Sequence, residues 1–257
     1  MTTFENLRIE TDGAIARVYF TRPPVNAVNQ EMYAEILELF TNVATHLPGV
    51  SAIVLTGEGR HFCGGNDLNE FLTLTPENSP ERMKNVREAF WSIRDCEIPV
   101  IAAVNGVAVG TGLALAASCD LVVAGESAKF SLPEIGVGLM GGAKHLSRLV
   151  PEGVVRRMHF TAEMVPARDL LPYGGIAQVV ADDELVDAAV ELAKQITRHS
   201  PVAIRFAKRS LNAIEYMDIK SGYEYEQGLS GELSAYSDAK EAVHAFFEGR
   251  EPQYTGK

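Results

Sequence analysis

Two glycine loops and one acid carry most of the chemical content of this chain. The loops are Cys63-Gly64-Gly65-Asn66-Asp67 and Gly110-Thr111-Gly112, each set between an apolar run and a helix start. At such a junction the first backbone N–H groups of the helix have no partner inside it and can point at a ligand oxygen. The acid is Glu134, in Phe130-Ser131-Leu132-Pro133-Glu134-Ile135-Gly136. A carboxylate among apolar neighbours takes a raised pKa, which suits it to moving protons near neutrality. Each feature also has a purely structural reading. Gly110-Thr111-Gly112 makes a tight strand-to-helix connection, Asn66-Asp67 can cap a helix, and Ser131-Leu132-Pro133-Glu134 fits a capping box.

Other chemistries find little support. Gly136-Val137-Gly138-Leu139-Met140-Gly141 matches GxGxxG by letter, but it follows Pro133-Glu134-Ile135 rather than a strand. There is no GxxxxGK[ST] and no GxSxG elbow, and the six histidines lack metal-ligand spacing, so no metal is expected. The 34 acids against 23 bases, a net charge of -11, argue against nucleic acid as a partner. Cys63, Cys96 and Cys119 are odd in number and lack CxxC spacing, which suits a reducing, cytoplasmic compartment. The start MTTFENLRIETDG has no apolar signal core, and no apolar run reaches the roughly 18 residues of a membrane span.

The elements that must position these residues follow from patterning. Ala14–Phe20, Ala52–Leu55, Val100–Val104 and Leu121–Ala124 read as strands, Ala52–Leu55 as one covered on both faces. Asn29 caps a helix expected from Gln30 to about Leu47, and Ser79-Pro80 opens one to about Asp95. Leu113–Ser118 is a short apolar helix. From Lys144 onward helices dominate, expected over 144–149, 154–161, 168–173, 184–198, 202–214 and 223–247, with one short apolar run at 177–180. Strand–helix alternation followed by a helical tail predicts an α/β core with a helical extension.

The segments TRPPVNAVN (21–29), IVLTGEGRHFCGGNDL (53–68), IPVIAAVNGVAVGTGLALAASCDLVVAGESAKFSLPEIGVGL (98–139) and AFFEGREPQYTGK (245–257) resemble the crotonase superfamily of enoyl-CoA hydratases and isomerases. The resemblance implies a crotonase-like spiral of ββα turns over residues 1–195 and a C-terminal helical trimerisation region over 196–257. It implies an acyl-CoA thioester substrate, coenzyme A entering only as part of it, no separate cofactor, and a homotrimer or homohexamer. Matched residue by residue, the N–H groups of Asn66 and Thr111 would hold the thioester oxygen, and Glu134 would move the proton. Arg22 and Val25 would lie along the CoA phosphates and pantetheine, with Phe62, Gly64 and Asn66 near the adenine.

One departure bears on the reaction. Hydratases of this superfamily carry two glutamates, and the position of the first is Ala114, which the resemblance puts among the substrate-binding residues; the aspartate of the dienoyl isomerases falls at Gly142. A single acid can still shuttle a proton between carbons, so isomerisation, or hydration of a non-standard substrate, is expected. The alternatives are decarboxylation, C–C hydrolysis, or acyl-CoA binding without turnover. His145 and Asp67 are the residues that can replace the absent acid, against a surface role for one and a capping role for the other.

Overall fold

A computed structural model describes residues 4–256. Residues 1–3 and 257, the outer ends of the two expected regions, lie outside them.

One sheet organises the fold. It comprises β1 (Leu7–Asp12), β2 (Ile15–Phe20), β3 (Ala52–Gly57) and β4 (Val100–Val104). Beyond a separate strand β5 (Val107–Val109), it continues through β6 (Leu121–Gly125). Two more short strands, β7 (Lys129–Ser131) and β8 (Val165–Pro166), precede its last member, β9 (Gln178–Val180). Its order is β1-β2-β3-β4-β6-β9, parallel throughout except for the β1–β2 hairpin, whereas β5, β7 and β8 form a small second sheet. The first strand, β1, was not expected: it alternates apolar and charged residues and ends the sheet as a half-exposed edge.

The helices in chain order are α1 (Gln30–Thr41), α2 (Val43–His46), α3 (Leu68–Phe71), α4 (Ser79–Asp95) and α5 (Thr111–Ser118). Next come α6 (Ala143–Leu146), α7 (Glu152–Thr161), α8 (Ala167–Leu170) and α9 (Leu185–Thr197). The chain finishes with α10 (Pro201–Ile214), α11 (Ile219–Leu233) and α12 (Ser237–Glu248). The alternation of a strand splits the core between the two sheet faces. Ile53 and Leu55 of β3, with Ala102 and Val104 of β4, join the large core beneath α1, α4 and α5. Ala52, Val54, Ile101, Ala103 and Val123 face the other way, against Leu185, Ala189 and Ala193 of α9. Two-sided burial is why these strands read as unbroken apolar runs.

Two expected helices are interrupted. The first breaks at Asn42, whose N–H closes α1 on the Glu38 carbonyl before α2 restarts. The expected 223–247 helix is two, broken at 234–236, and Asp238 in the first turn of α12 is buried, its carboxylate accepting from Ser200 Oγ (2.8 Å), Thr255 N (2.8 Å) and Gly256 N (3.1 Å). α9 runs on to Thr197, and Ser200 caps α10 through Ala203 N.

The tail is pinned to the sheet by Lys208 of α10, which is 5% exposed. Its ammonium donates to Asp120 Oδ2 (2.8 Å), the Ile98 carbonyl (3.0 Å) and the Ile93 carbonyl (3.4 Å). Removing one partner of a mostly buried ion pair strands the others. Lys208→Met is expected to cost about 2–4 kcal/mol of stability. The measurement is the urea unfolding midpoint, and an unchanged midpoint would show the ammonium to be dispensable.

Candidate active site

The first glycine loop follows β3 and is fixed from several sides. Asn26 Nδ2 donates to the Glu58 (3.1 Å) and His61 (2.7 Å) carbonyls, and Asn105 Nδ2 to those of Gly57 and Gly59, both at 3.0 Å. The loop then pairs with β5: Cys63 N donates to the Val107 carbonyl and Val109 N to the Cys63 carbonyl, both at 3.0 Å. A methyl group on Gly112 would lie 2.2 Å from the Cys63 carbonyl oxygen, so only glycine lets the two loops touch there. Three residues further on, Asn66 lies beside Val28: Val28 N donates to the Gly65 carbonyl and Asp67 N to the Val28 carbonyl, both at 2.8 Å. Successive N–H groups of an extended chain point in opposite directions, so the Asn66 N–H faces away from Val28. Among the described residues it has no partner.

The second loop turns at Gly110 (φ +54, ψ −112), a conformation in the left-handed half of backbone space that side chains avoid. Gly110 N donates to the Ser131 carbonyl at 2.9 Å, and Thr111 begins α5. As the first helical residue, Thr111 keeps its N–H free of the helix ladder. It too is without a partner among the described residues.

Glu134 opens a 3-10 turn, Glu134–Val137, just after β7, and that turn has no side-chain cap. The Ser131 hydroxyl instead donates to the Ala162 carbonyl (3.3 Å), so the capping box does not form. The carboxyl group lies against the second loop: a methyl group at Gly110 would be 2.6 Å from Glu134 Oε1. Oε2 is buried without a hydrogen-bond partner. Burial raises the Glu134 pKa above its ordinary value, against the opposing hydrogen bond from its own backbone N–H.

These groups share a cavity of about 510 Å³, within the usual size range of small-molecule sites. Asn66, Thr111, Ala114 and Glu134 line it, together with Phe90 and His145. Ala114 is 2% exposed and brings only a methyl group. The His145 ring packs edge-on against Phe90, and burial, with the charge of Arg148, lowers its imidazole to about 4, so it is neutral at ordinary pH. The Cys63 thiol behind the first loop is pushed up to about 12 by burial, so it is no nucleophile.

The other expected site residues lie outside the cavity lining. Phe62 is fully buried, its ring edge-on to Phe20 at 5.3 Å, so it lies in the core rather than at a surface where it was expected to meet a ligand. Val25 packs on Gly64, whose N–H donates to the Val25 carbonyl at 2.7 Å. The Arg22 guanidinium is engaged with Asp67 Oδ2 (2.6 Å) and the Ala27 carbonyl (2.8 Å). Asp67 in turn caps α3 through Asn69 N (3.1 Å), and the Arg22 hydrogen bond holds its carboxyl below the ordinary carboxylate value. Asp67 therefore keeps its capping role and does not stand in for the acid absent at Ala114.

A larger depression, about 790 Å³, opens between α4 and α10. Its cations are largely neutralised locally, Arg94 by Glu215, Arg209 by Glu232 and Lys208 by Asp120, and no glycine is among its lining residues. The smaller cavity is the one that brings Asn66, Thr111 and Glu134 together.

A parallel sheet with its helical tail, and two glycine loops meeting beneath a glutamate, define the crotonase fold. Residues 10–257 match the enoyl-CoA hydratase/isomerase family. A Mycobacterium tuberculosis protein, (7aS)-7a-methyl-1,5-dioxo-2,3,5,6,7,7a-hexahydro-1H-indene-carboxyl-CoA hydrolase, is 37% identical over 91% of this chain and 95% of its own. The short-chain-enoyl-CoA hydratase of Clostridium acetobutylicum is 34% identical over 95% of each. Among solved structures, Pseudomonas aeruginosa DspI superposes with a TM-score of 0.93 at 33% identity, covering 99% of this chain and 98% of its own. The chain belongs to the enoyl-CoA hydratase/isomerase family of the crotonase superfamily.

Proposed function

We propose that this protein is an acyl-CoA enzyme that isomerises or hydrates an enoyl-CoA with a single acid–base residue. The observation that carries the reading is the pair of unpartnered N–H groups, at Asn66 and Thr111, at a cavity that also holds the Glu134 carboxyl. A thioester oxygen held by both donors gains charge as a proton leaves the α carbon, and each donor of this type is worth about 2.7–4 kcal/mol in the transition state. Glu134 takes that proton and returns it to the γ carbon, moving the double bond without a second acid. The CoA moiety, as part of the substrate, runs past Asn66 towards Val25, Gly64 and Arg22, with the Arg22–Asp67 pair opening if the guanidinium meets a phosphate.

The test is turnover across a panel of 2-enoyl- and 3-enoyl-CoAs. Isomerisation of a 3-enoyl-CoA, or hydration of a 2-enoyl-CoA, supports the reading; tight acyl-CoA binding with no turnover on any member replaces it with a binding protein. Because burial raises the Glu134 pKa, the rate with Glu134 as base is expected to fall on the acid side with a midpoint above the ordinary glutamate value of 4.5. A midpoint at or below that value would contradict the assignment.

A second reading is C–C hydrolysis of an oxo-acyl-CoA. It is favoured by the Mycobacterium tuberculosis relative, named as a hydrolase of a dioxo carboxyl-CoA, together with Ala114, which leaves no second carboxylate for ordinary hydration. Ala114→Glu separates the two. It is expected to raise crotonyl-CoA hydration by at least about tenfold, since a positioned second acid–base group contributes about 10²–10⁴. No gain would mean that the cavity is shaped for another reaction.

Assembly as a homotrimer or homohexamer is part of the same proposal. Phe246 and Phe247 of α12, each 81% exposed, are the kind of apolar surface that a second copy would cover. Light scattering reads the mass directly.

A further inference from the structure

The two loops of the site are joined by a third residue, Tyr33 of α1. Their backbone pairing ends at Cys63 and Val109, short of both N–H groups that would hold the thioester. Beyond that point the link between the two donor residues is the Tyr33 hydroxyl. It donates to Asn66 Oδ1 at 2.5 Å and lies 2.9 Å from Thr111 Oγ1, so the Thr111 hydroxyl is left to donate to it. Tyr33 itself has little freedom. It is fully buried, its ring stands edge-on to Phe90 of α4 at 6.1 Å, and α1 is capped by Asn29, next to the Val28 that flanks Asn66. Burial also keeps the phenol protonated, so it remains a donor at every working pH.

The geometry points to Tyr33 as a positioning residue: its hydroxyl, bridging the side chains of Asn66 and Thr111, sets the separation and aim of the two backbone N–H groups that polarise the thioester carbonyl. This rests on the proposed acyl-CoA chemistry. Two donors aimed at one oxygen act fully only when both are in range, and a misplacement of about 1 Å can cost about 10²-fold in rate. Tyr33 touches neither the substrate nor the reacting atoms in this scheme. It acts through the rigidity of Thr111–Tyr33–Asn66.

Tyr33→Phe keeps the ring and deletes the hydroxyl. The expected result is a kcat about 10–100-fold lower with KM within about twofold, because the carbonyl is still bound but less polarised. A chromophoric probe, 4-dimethylaminocinnamoyl-CoA, reads polarisation without turnover. Its absorption should move to the red on binding the native protein and by clearly less on binding Tyr33→Phe. Thr111→Ser retains the hydroxyl and should retain the shift; Thr111→Val should lose it to the same degree as Tyr33→Phe, and carries the test if Tyr33→Phe does not fold. A native-like kcat and red shift in Tyr33→Phe would overturn the inference, as would a kcat loss with the red shift intact. If the native protein neither turns over any acyl-CoA nor shifts the probe, the acyl-CoA reading itself fails, a result distinct from either.

Discussion

Glu134→Gln is expected to reduce kcat on the best enoyl-CoA by about 10²–10⁴-fold while leaving acyl-CoA binding within a few-fold of native. The amide fits the same space against Gly110 but neither accepts nor returns a proton. The effect should be at the upper end of that range, because Ala114 supplies no second acid and Asp67 is held by Arg22. Stability should move the other way. A carboxyl whose folded-state pKa is raised is stabilising in its protonated form, and that contribution is lost as pH rises through the raised value. With Oε2 buried and unpartnered, the ionised group is a cost at neutral pH, so Glu134→Gln should match or exceed the native melting temperature at pH 8. Full activity in Glu134→Gln would sink the site assignment. The rescue to look for is in His145: if Glu134→Gln retains a rate that His145→Ala then removes, the neutral imidazole lining the same cavity is carrying protons.

Gly110→Ala is the second large effect, and it tests geometry rather than proton chemistry. Two penalties combine at this one position. The backbone (φ +54, ψ −112) is strained for any residue with a side chain, at about 1–3 kcal/mol, and the added methyl would lie 2.6 Å from Glu134 Oε1. The carboxyl must move, and the Thr111 N–H must rotate as the turn relaxes. A kcat loss of about 10²-fold or more is expected, with a lowered melting temperature. Gly153→Ala, in α7, is the comparison: a methyl there meets nothing within 4 Å, and activity should be unchanged. Equal, small effects in both variants would show that the Gly110 turn is not coupled to the glutamate.

Much of this site could be read in the sequence because its parts are local patterns. A glycine loop between an apolar strand and a helix start leaves free N–H groups wherever it occurs, so the two loops stood out from their neighbours alone, and the resemblance to the crotonase superfamily singled out Asn66 and Thr111 within them. Glu134 stood out by its apolar context. Ala114 could be read as an absence only against the family's pattern of two glutamates, since by itself it is one more apolar residue of a short helix. The α/β core followed from unbroken apolar strands, and the helical tail from its periodicity.

Only the tertiary structure decided which of these residues meet, and what each is free to do. Ser131 turned away to the Ala162 carbonyl and left Glu134 to the cavity; nothing within the four residues of the capping-box pattern distinguishes the two outcomes. Phe62 was absorbed into the core by Phe20, and Arg22 was taken up by Asp67, 45 residues further along. Tyr33 was silent in the sequence, one more apolar face of an amphipathic helix, until folding brought its hydroxyl between Asn66 and Thr111, the latter 78 residues away. The reason is common to all four. Backbone chemistry is fixed by the few residues on either side, whereas the partners of a side chain are chosen by the packing of distant elements.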